Sequence, residues 1–135
     1  IYKRRSKDLN LLMKSSFSVY DPLSEKQTLP EWWGKDSVDT SSPTVKSMFR
    51  SEKFEYFVFN MASPVYGCQV LFFPDEFPSN FGAANIWYGG FFDICTNVKY
   101  DLAGRVYEGK SNGKHLLIPH YRFIDENTIE LYPNG

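Results

Sequence analysis

Gly89-Gly90-Phe91-Phe92-Asp93-Ile94-Cys95-Thr96-Asn97-Val98-Lys99-Tyr100-Asp101-Leu102-Ala103-Gly104-Arg105 is the stretch on which the reading of the fold turns. A Gly-Gly break leads into paired aromatics, and the short strand-like run Gly104 to Glu108 follows. Glycine permits sharp reversals, and aromatics favour the half-buried face of a sheet. Downstream, His115 to Ile118, Tyr121 to Ile124 and Thr128 to Tyr132 read as further strands at short intervals. The last two are joined by the hairpin signal Asp125-Glu126-Asn127. Upstream, Phe54 to Phe59 and Cys68 to Phe73 read as strands, with the turn-rich segment Pro74 to Gly82 after them. Several short strands at this spacing predict an antiparallel all-β domain. No internal repeat is present.

The first 50 residues have a different texture. Asp8 to Lys14 predicts a short helix with Leu9, Leu12 and Met13 on one face. Pro22, Pro30, Trp32-Trp33-Gly34 and the Ser/Thr-rich stretch Ser37 to Thr44 follow and read as extended loop. The division expected is a loop-rich N-terminal arm over 1–50 and a β domain over 51–135. Long loops are uncommon unless they wrap or bind something. Trp32 and Trp33 are the expected contact anchors on a protein partner. The opening Lys3-Arg4-Arg5 and Lys7 read as a solvated basic end in preference to the edge of a targeting region. The chain opens at Ile1 rather than Met, so processing or trimming is expected, and an anchor upstream of Ile1 is compatible with this reading.

Composition narrows the function classes. A chain of 135 residues with 42% hydrophobic and 23% charged residues is long and apolar enough for one domain with a core. A net charge of −1 gives no electrostatic pull on nucleic acid, and no nucleic-acid partner is expected. Apolar runs such as Val70-Leu71-Phe72-Phe73 fall far short of the roughly 20 residues of a membrane span. No Asn-x-Ser/Thr sequon is present, which disfavours a glycosylated secretory route.

Cys68 and Cys95 are compatible with one disulfide or with two buried thiols. Together with His115 and His120 they would suffice by count for one metal ion. The histidines, however, flank Leu116-Leu117-Ile118 across Pro119, away from any Cys-x-x-Cys or Cys-x-His setting, so ordinary structural roles are expected. A catalytic dithiol is disfavoured because the cysteines are far apart in sequence and Asp93, not a cation, stands beside Cys95. Asp93, Asp101, Asp125 and Glu126 form no persuasive acid/base pair, and loop or cap roles are expected for them.

The stretch Gly89 to Gly109 resembles the second cluster loop of the Rieske iron–sulfur proteins, which reads Gly-Gly-aromatic-aromatic-Cys-Pro-Cys-His-Gly-Ser-x-Tyr-Asp followed by a small residue, Gly-Arg and a hydrophobic. Ile118-Pro119-His120-Tyr121-Arg122-Phe123 resembles the family's Val-Pro-x-Tyr-x-Phe, and Thr128-Ile129-Glu130-Leu131 its last strand. Ser63-Pro64-Val65-Tyr66-Gly67-Cys68 stands where the family has Cys-Thr-His-Leu-Gly-Cys. The resemblance covers roughly 54–132 and is nearest to the cytochrome bc type. It implies a Rieske-like antiparallel β-sandwich, with base strands from Phe54 to Asn60 and Gly104 to Leu131. The former cluster-binding subdomain, Ser63 to Asp101, is inserted between them.

A Rieske cluster takes two Cys thiolates on one iron and two His imidazoles on the other. The resemblance puts the first-loop Cys and His at Ser63 and Val65, and the second-loop Cys and His at Asp93 and Thr96. Val65 has no donor atom, Ser63 and Thr96 offer neutral hydroxyls, and a lone Asp93 carboxylate suits a hard cation rather than iron–sulfide. The family's serine to a bridging sulfide falls on Val98, and its covering Gly-Pro-Ala-Pro loop on Gly109-Lys110-Ser111-Asn112-Gly113. Its tyrosine to a Cys ligand persists as Tyr100. The two non-ligand cysteines, which the resemblance joins in a disulfide, persist as Cys68 and Cys95. The segment between the loops is long, and its rings Phe72, Phe73, Phe77 and Phe81 are candidates to fill the space of a cluster or to pack elsewhere.

The resemblance therefore implies no cofactor, no metal and no catalytic residue, and a chain that is not an enzyme. The expected function is a non-redox structural or interaction subunit bound to other protein subunits of a larger membrane or respiratory assembly. Its expected setting is mitochondrial, at the inner membrane on the intermembrane-space side, with membrane association through partners or an upstream anchor. The alternative is an electron-transfer Rieske-type subunit with unusual cluster ligation.

Overall fold

The structure, a computed structural model, describes residues 1–23, 43–64, 67–82, 86–107 and 114–132. Its regular elements are β1 (Tyr2–Lys3), α1 (Ser6–Ser15), α2 (Pro43–Phe49), β2 (Tyr56–Phe57), β3 (Leu71–Phe73), a 3-10 turn (Ser79–Phe81), β4 (Gly90–Asp93), β5 (Val98–Tyr100), β6 (Tyr121–Asp125) and β7 (Thr128–Leu131). Strands β1 and β2 pair, β3-β4-β5 form a three-stranded sheet, and β6 and β7 form a hairpin. Every one of these pairings is antiparallel, as the all-β Rieske-like reading requires. The ladders are shorter than the sequence pattern predicts. Of Phe54 to Asn60 only Tyr56–Phe57 forms a strand, Cys68 to Phe73 gives only Leu71–Phe73, and Leu116 and Leu117 bond through loop contacts to Gly104 and Asn60. Asp125 pairs directly with Thr128, so Glu126 and Asn127 make the predicted turn, and Asn127 N donates to Asp125 Oδ1 at 2.8 Å.

The central core joins the base to the inserted segment. Phe57, Val106 and Leu116 from the base pack with Val70, Phe91 and Tyr100 from the insert. Such contiguous apolar burial is the main favourable contribution to folding. A second cluster of Val58, Ile118 and Tyr121 lies under the β6–β7 hairpin, with Phe123 and Ile129 packed on it.

A third cluster, Leu12, Phe49, Leu102 and Ala103, brings the N-terminal region into the body of the molecule. Most of the expected loop-rich part of the arm, 24–42, lies outside the described residues; the described parts of 1–50 contain α1 and α2 and pack on the β domain. Helix α1 is present, but its buried residues are Leu12, Asp8 and Ser15, whereas Leu9 and Met13 are exposed. Polar residues hold the inner face because each has a fixed partner. The Asp8 carboxylate accepts from the Arg5 backbone N–H at 2.7 Å, from the Arg5 guanidinium and from the Tyr2 hydroxyl. Ser15 Oγ donates to Asp101 Oδ2 at 2.8 Å. Hydrophobic periodicity cannot register such partners.

The basic opening is solvated only in part: Lys3 and Lys7 are exposed, whereas Arg4 is not. Arg4 is buried; its guanidinium donates to the carbonyls of Phe49 (2.7 Å), Leu102 (3.2 Å) and Phe54 (3.0 Å) and to Ser51 Oγ. Arg5 and Lys7 both reach Asp75, at 2.9 and 3.0 Å. Arg50, also buried, donates to the carbonyls of Ala103, Gly104 and Leu116. Gly104 lies in this grip at φ 71°, and a Cβ there would stand 2.9 Å from Arg50 Nη1 and 3.0 Å from Leu116 and Phe57. These arginines satisfy carbonyls of the 101–104 loop that no strand pairs.

Candidate functional site

Strand β4 delivers the candidate site. Its first residue, Gly90, has φ 148°, and a Cβ there would fall 1.8 Å from the Tyr100 carbonyl, so only glycine lets β4 enter against β5. Pairing then sets Phe91 opposite Tyr100, Phe92 opposite Lys99 and Asp93 opposite Val98. Alternation puts Phe91 and Asp93 on one face and Phe92 on the other.

The chain turns immediately after Asp93. Asn97 N donates to Asp93 O at 2.7 Å, with Asn97 itself in the left-handed region at φ 62°. Asp93 is fully buried and supports this turn with both oxygens: Oδ1 accepts from Cys95 N at 2.9 Å and Oδ2 from Thr96 Oγ1 at 2.7 Å. The second loop thus brings Asp93 and Thr96 into direct contact.

The first loop meets it through the Cys68–Cys95 disulfide, with 6.4 Å between the Cα atoms across a sequence separation of 27. The bond implied by the resemblance is present in the structure. Ser63 is tied to its own loop, donating its N–H to Cys68 O at 2.7 Å and accepting at its carbonyl from Gly67 N at 2.9 Å. Its hydroxyl is buried without a hydrogen bond of normal geometry, although it lies close enough to Tyr100 to act on that hydroxyl. Burial first, and the Asp93 carboxylate second, push the Tyr100 hydroxyl up to about 12, with Ser63 pulling slightly the other way. Ser63, Asp93, Thr96, Tyr100 and the disulfide therefore form one cluster. Val65, Trp32, Trp33 and the loop 109–113 lie outside the described residues.

The rings of the long inter-loop segment divide between the two faces of the sheet. Phe72 stacks on Phe91, with centroids 5.1 Å apart, on the Asp93 face. Phe77 and Phe81 pack on Phe92, at 5.1 and 5.4 Å, and Phe73 joins them. Lys99 lies over Phe77 and Phe92 on the same side. Three of the four candidate rings thus cover the face opposite Asp93.

The chemistry of the donor set does not fit a Rieske cluster. Ser63 and Thr96 offer neutral hydroxyls, Asp93 offers a hard carboxylate where thiolate and imidazole are needed, and the two sulfurs are bonded to each other. Neither histidine joins the cluster in the one grouping of metal-ligating side chains found among the described residues, which is Cys68, Asp93 and Cys95. His115 is buried; its Nδ1 accepts from Val106 N at 3.1 Å, while His120 packs on Tyr132. No helix among the described residues is long and apolar enough to cross a membrane. The buried arginines of the 101–104 loop were not legible as such; Arg105 stood in the motif, but nothing local to Arg4 or Arg50 signals burial.

No protein-family model matches the chain. Among curated proteins it is similar to the ubiquinol–cytochrome c reductase iron–sulfur subunit of Allochromatium vinosum, at 28% identity over 129 residues. That match covers 96% of this chain and 56% of the bacterial subunit, so the chain spans about half the length of that curated relative. Such coverage leaves few residues unmatched, so the similarity extends into the first 50, beyond the 54–132 carried by the motifs. The antiparallel fold and the two cysteine loops joined by a disulfide agree with this similarity to an iron–sulfur subunit of the Rieske type.

Proposed function

We propose that this chain is a non-redox structural subunit, a Rieske-like domain kept for its surface within a multi-subunit assembly of the cytochrome bc or a related respiratory type. What supports the reading is the donor set: the resemblance puts Ser63, Asp93 and Thr96 at the ligand positions, and the Asp93 carboxylate accepts from Cys95 N and Thr96 Oγ1 of its own turn. The Cys68–Cys95 disulfide joins the two loops covalently. The similarity to a subunit of ubiquinol–cytochrome c reductase supports membership of such an assembly. A mitochondrial setting on the intermembrane-space side of the inner membrane belongs to the same proposal, since disulfides persist in oxidising compartments. Contact with neighbouring subunits through Trp32 and Trp33 belongs to it as well.

Iron and acid-labile sulfide analysis of this chain, separated from its native assembly without oxygen, tests the reading. Less than one-tenth of an iron per chain, with no Rieske-type electron paramagnetic resonance signal from this chain, is expected. Stoichiometric iron and sulfide with that signal, abolished by Asp93→Ala, would establish the electron-transfer alternative instead.

A further inference from the structure

The disulfide is the feature of the cluster that chemistry can reverse. Cys68 Sγ, Cys95 Sγ and an Asp93 carboxylate oxygen all lie within 4.8 Å of one another. Cys95 is exposed and Cys68 half-buried, so a reductant and an ion both have access from the Cys95 side. Asp93 is held fully buried, its carboxylate fixed by Cys95 N and Thr96 Oγ1. Each oxygen accepts one of these bonds, which leaves a further lone pair on each. Ser63, in the first loop, is buried at 4% exposure, and its N–H donates to the carbonyl of Cys68, so the loop that carries Cys68 is fixed beside the second loop.

We propose that reduction of the Cys68–Cys95 disulfide turns this cluster into a zinc site, with the two thiolates and the Asp93 carboxylate as protein ligands and a water in the fourth position. Two thiol groups of an external dithiol reductant become a disulfide and give up two electrons. The Cys68–Cys95 bond breaks, takes up those electrons and two protons, and leaves two thiols. Binding of Zn²⁺ releases both thiol protons, because thiolates are the ligands. Zinc accepts Cys sulfur at about 2.3 Å and carboxylate oxygen at about 2.0–2.2 Å in tetrahedral geometry. Two thiolates on one such ion stand about 3.8 Å apart, so the sulfurs need separate by less than 2 Å from their bonded positions, a side-chain movement. Soft thiolates select zinc over the hard cations that a lone Asp93 would suit. The oxidised chain holds no thiolate and leaves the site closed, which makes the loop junction a redox-gated zinc switch. The inference stands independently of the host assembly.

The test is titration of the full chain with Zn²⁺, and with Co²⁺ as its spectroscopic stand-in, before and after treatment with a phosphine reductant. The reduced chain is expected to bind one ion per chain at least about 100-fold more tightly than the oxidised chain, with thiolate-to-cobalt charge transfer and a tetrahedral d–d spectrum. Loss of a ligand should cost at least what loss of a supporting residue does, so Asp93→Asn should weaken binding about 10–100-fold. That variant keeps the disulfide, so its fold can be checked in the oxidised state first. Should the reduced, metal-free chain lose structure, zinc is expected to restore its circular dichroism, since binding and folding are linked. Equal affinity in the oxidised and reduced states, equal affinity in Asp93→Asn, or a reduced chain that zinc neither binds nor refolds would each overturn the proposal.

Discussion

Asp101 and Arg105, four residues apart, form an ion pair in which both side chains are completely buried, with Arg105 Nη2 2.7 Å from Asp101 Oδ2. The same carboxylate accepts from Arg105 Nε, from Ser15 Oγ and from the backbone N–H groups of Ala103 and Arg105. Burial pushes the Asp101 carboxyl up, but the charge and hydrogen bonds of Arg105 outweigh it and hold the group below the usual carboxylate range. The pair pins α1 to the turn that follows the second cysteine loop.

Removing one member strands the other charge in the interior, which costs about 3–5 kcal/mol. Arg105→Met is therefore expected to lower the unfolding free energy by that amount in urea denaturation. A loss below 1 kcal/mol would mean that the pair is not buried in solution.

His115 supplies the pH dependence. Burial, and next the nearby Arg50 charge, push its imidazole down to about 4. The unfolded chain takes up the proton near pH 6.5 while the folded chain does not, so stability is full above that pH and falls as pH drops from about 6.5 to about 4. The slope expected is at most about 1.4 kcal/mol per pH unit. In His115→Gln this component should vanish from unfolding curves measured across that range; an unchanged slope would assign it to other groups.

The disulfide closes a loop spanning a sequence separation of 27. In the chain-entropy account such a loop contributes about 3–4 kcal/mol. The double variant Cys68→Ala, Cys95→Ala is expected to lose that much stability. Quantitative alkylation of both residues in native, unreduced protein would show instead that the thiols are free.

Gly90→Ala is expected to be far more damaging than its size suggests, because the added methyl would overlap the Tyr100 carbonyl at 1.8 Å. Either β4 separates from β5 or the backbone leaves φ 148°. A loss of at least about 3 kcal/mol in thermal or urea unfolding is expected, against about 1 kcal/mol for an ordinary substitution.

Leu12 is fully buried against Phe49, Leu102 and Ala103. Leu12→Ala should cost about 2–5 kcal/mol, and deletion of residues 1–23 should abolish cooperative unfolding of the remainder. A truncated chain that still melts cooperatively near the original temperature would make the N-terminal region an appendage after all.

The sequence by itself determined the donor types at the loop junction. Ser63, Asp93 and Thr96 carry hydroxyls and a carboxylate, and no folding event turns these into thiolates or imidazoles. It also determined the antiparallel β character and the Glu126-Asn127 turn, because residue preference and local spacing act over a few positions. Tertiary structure alone decided what is buried and what meets. Arg4 lies under carbonyls 45 to 98 residues away, and Asp8 faces inward because Arg5 and Tyr2 satisfy it. Phe77 and Phe81 sit opposite Asp93 because β4 exposes alternate residues to alternate faces. Local pattern is silent on such matters, since a charge is tolerated in the interior only where distant backbone supplies its hydrogen bonds, and those partners exist only once the chain has folded.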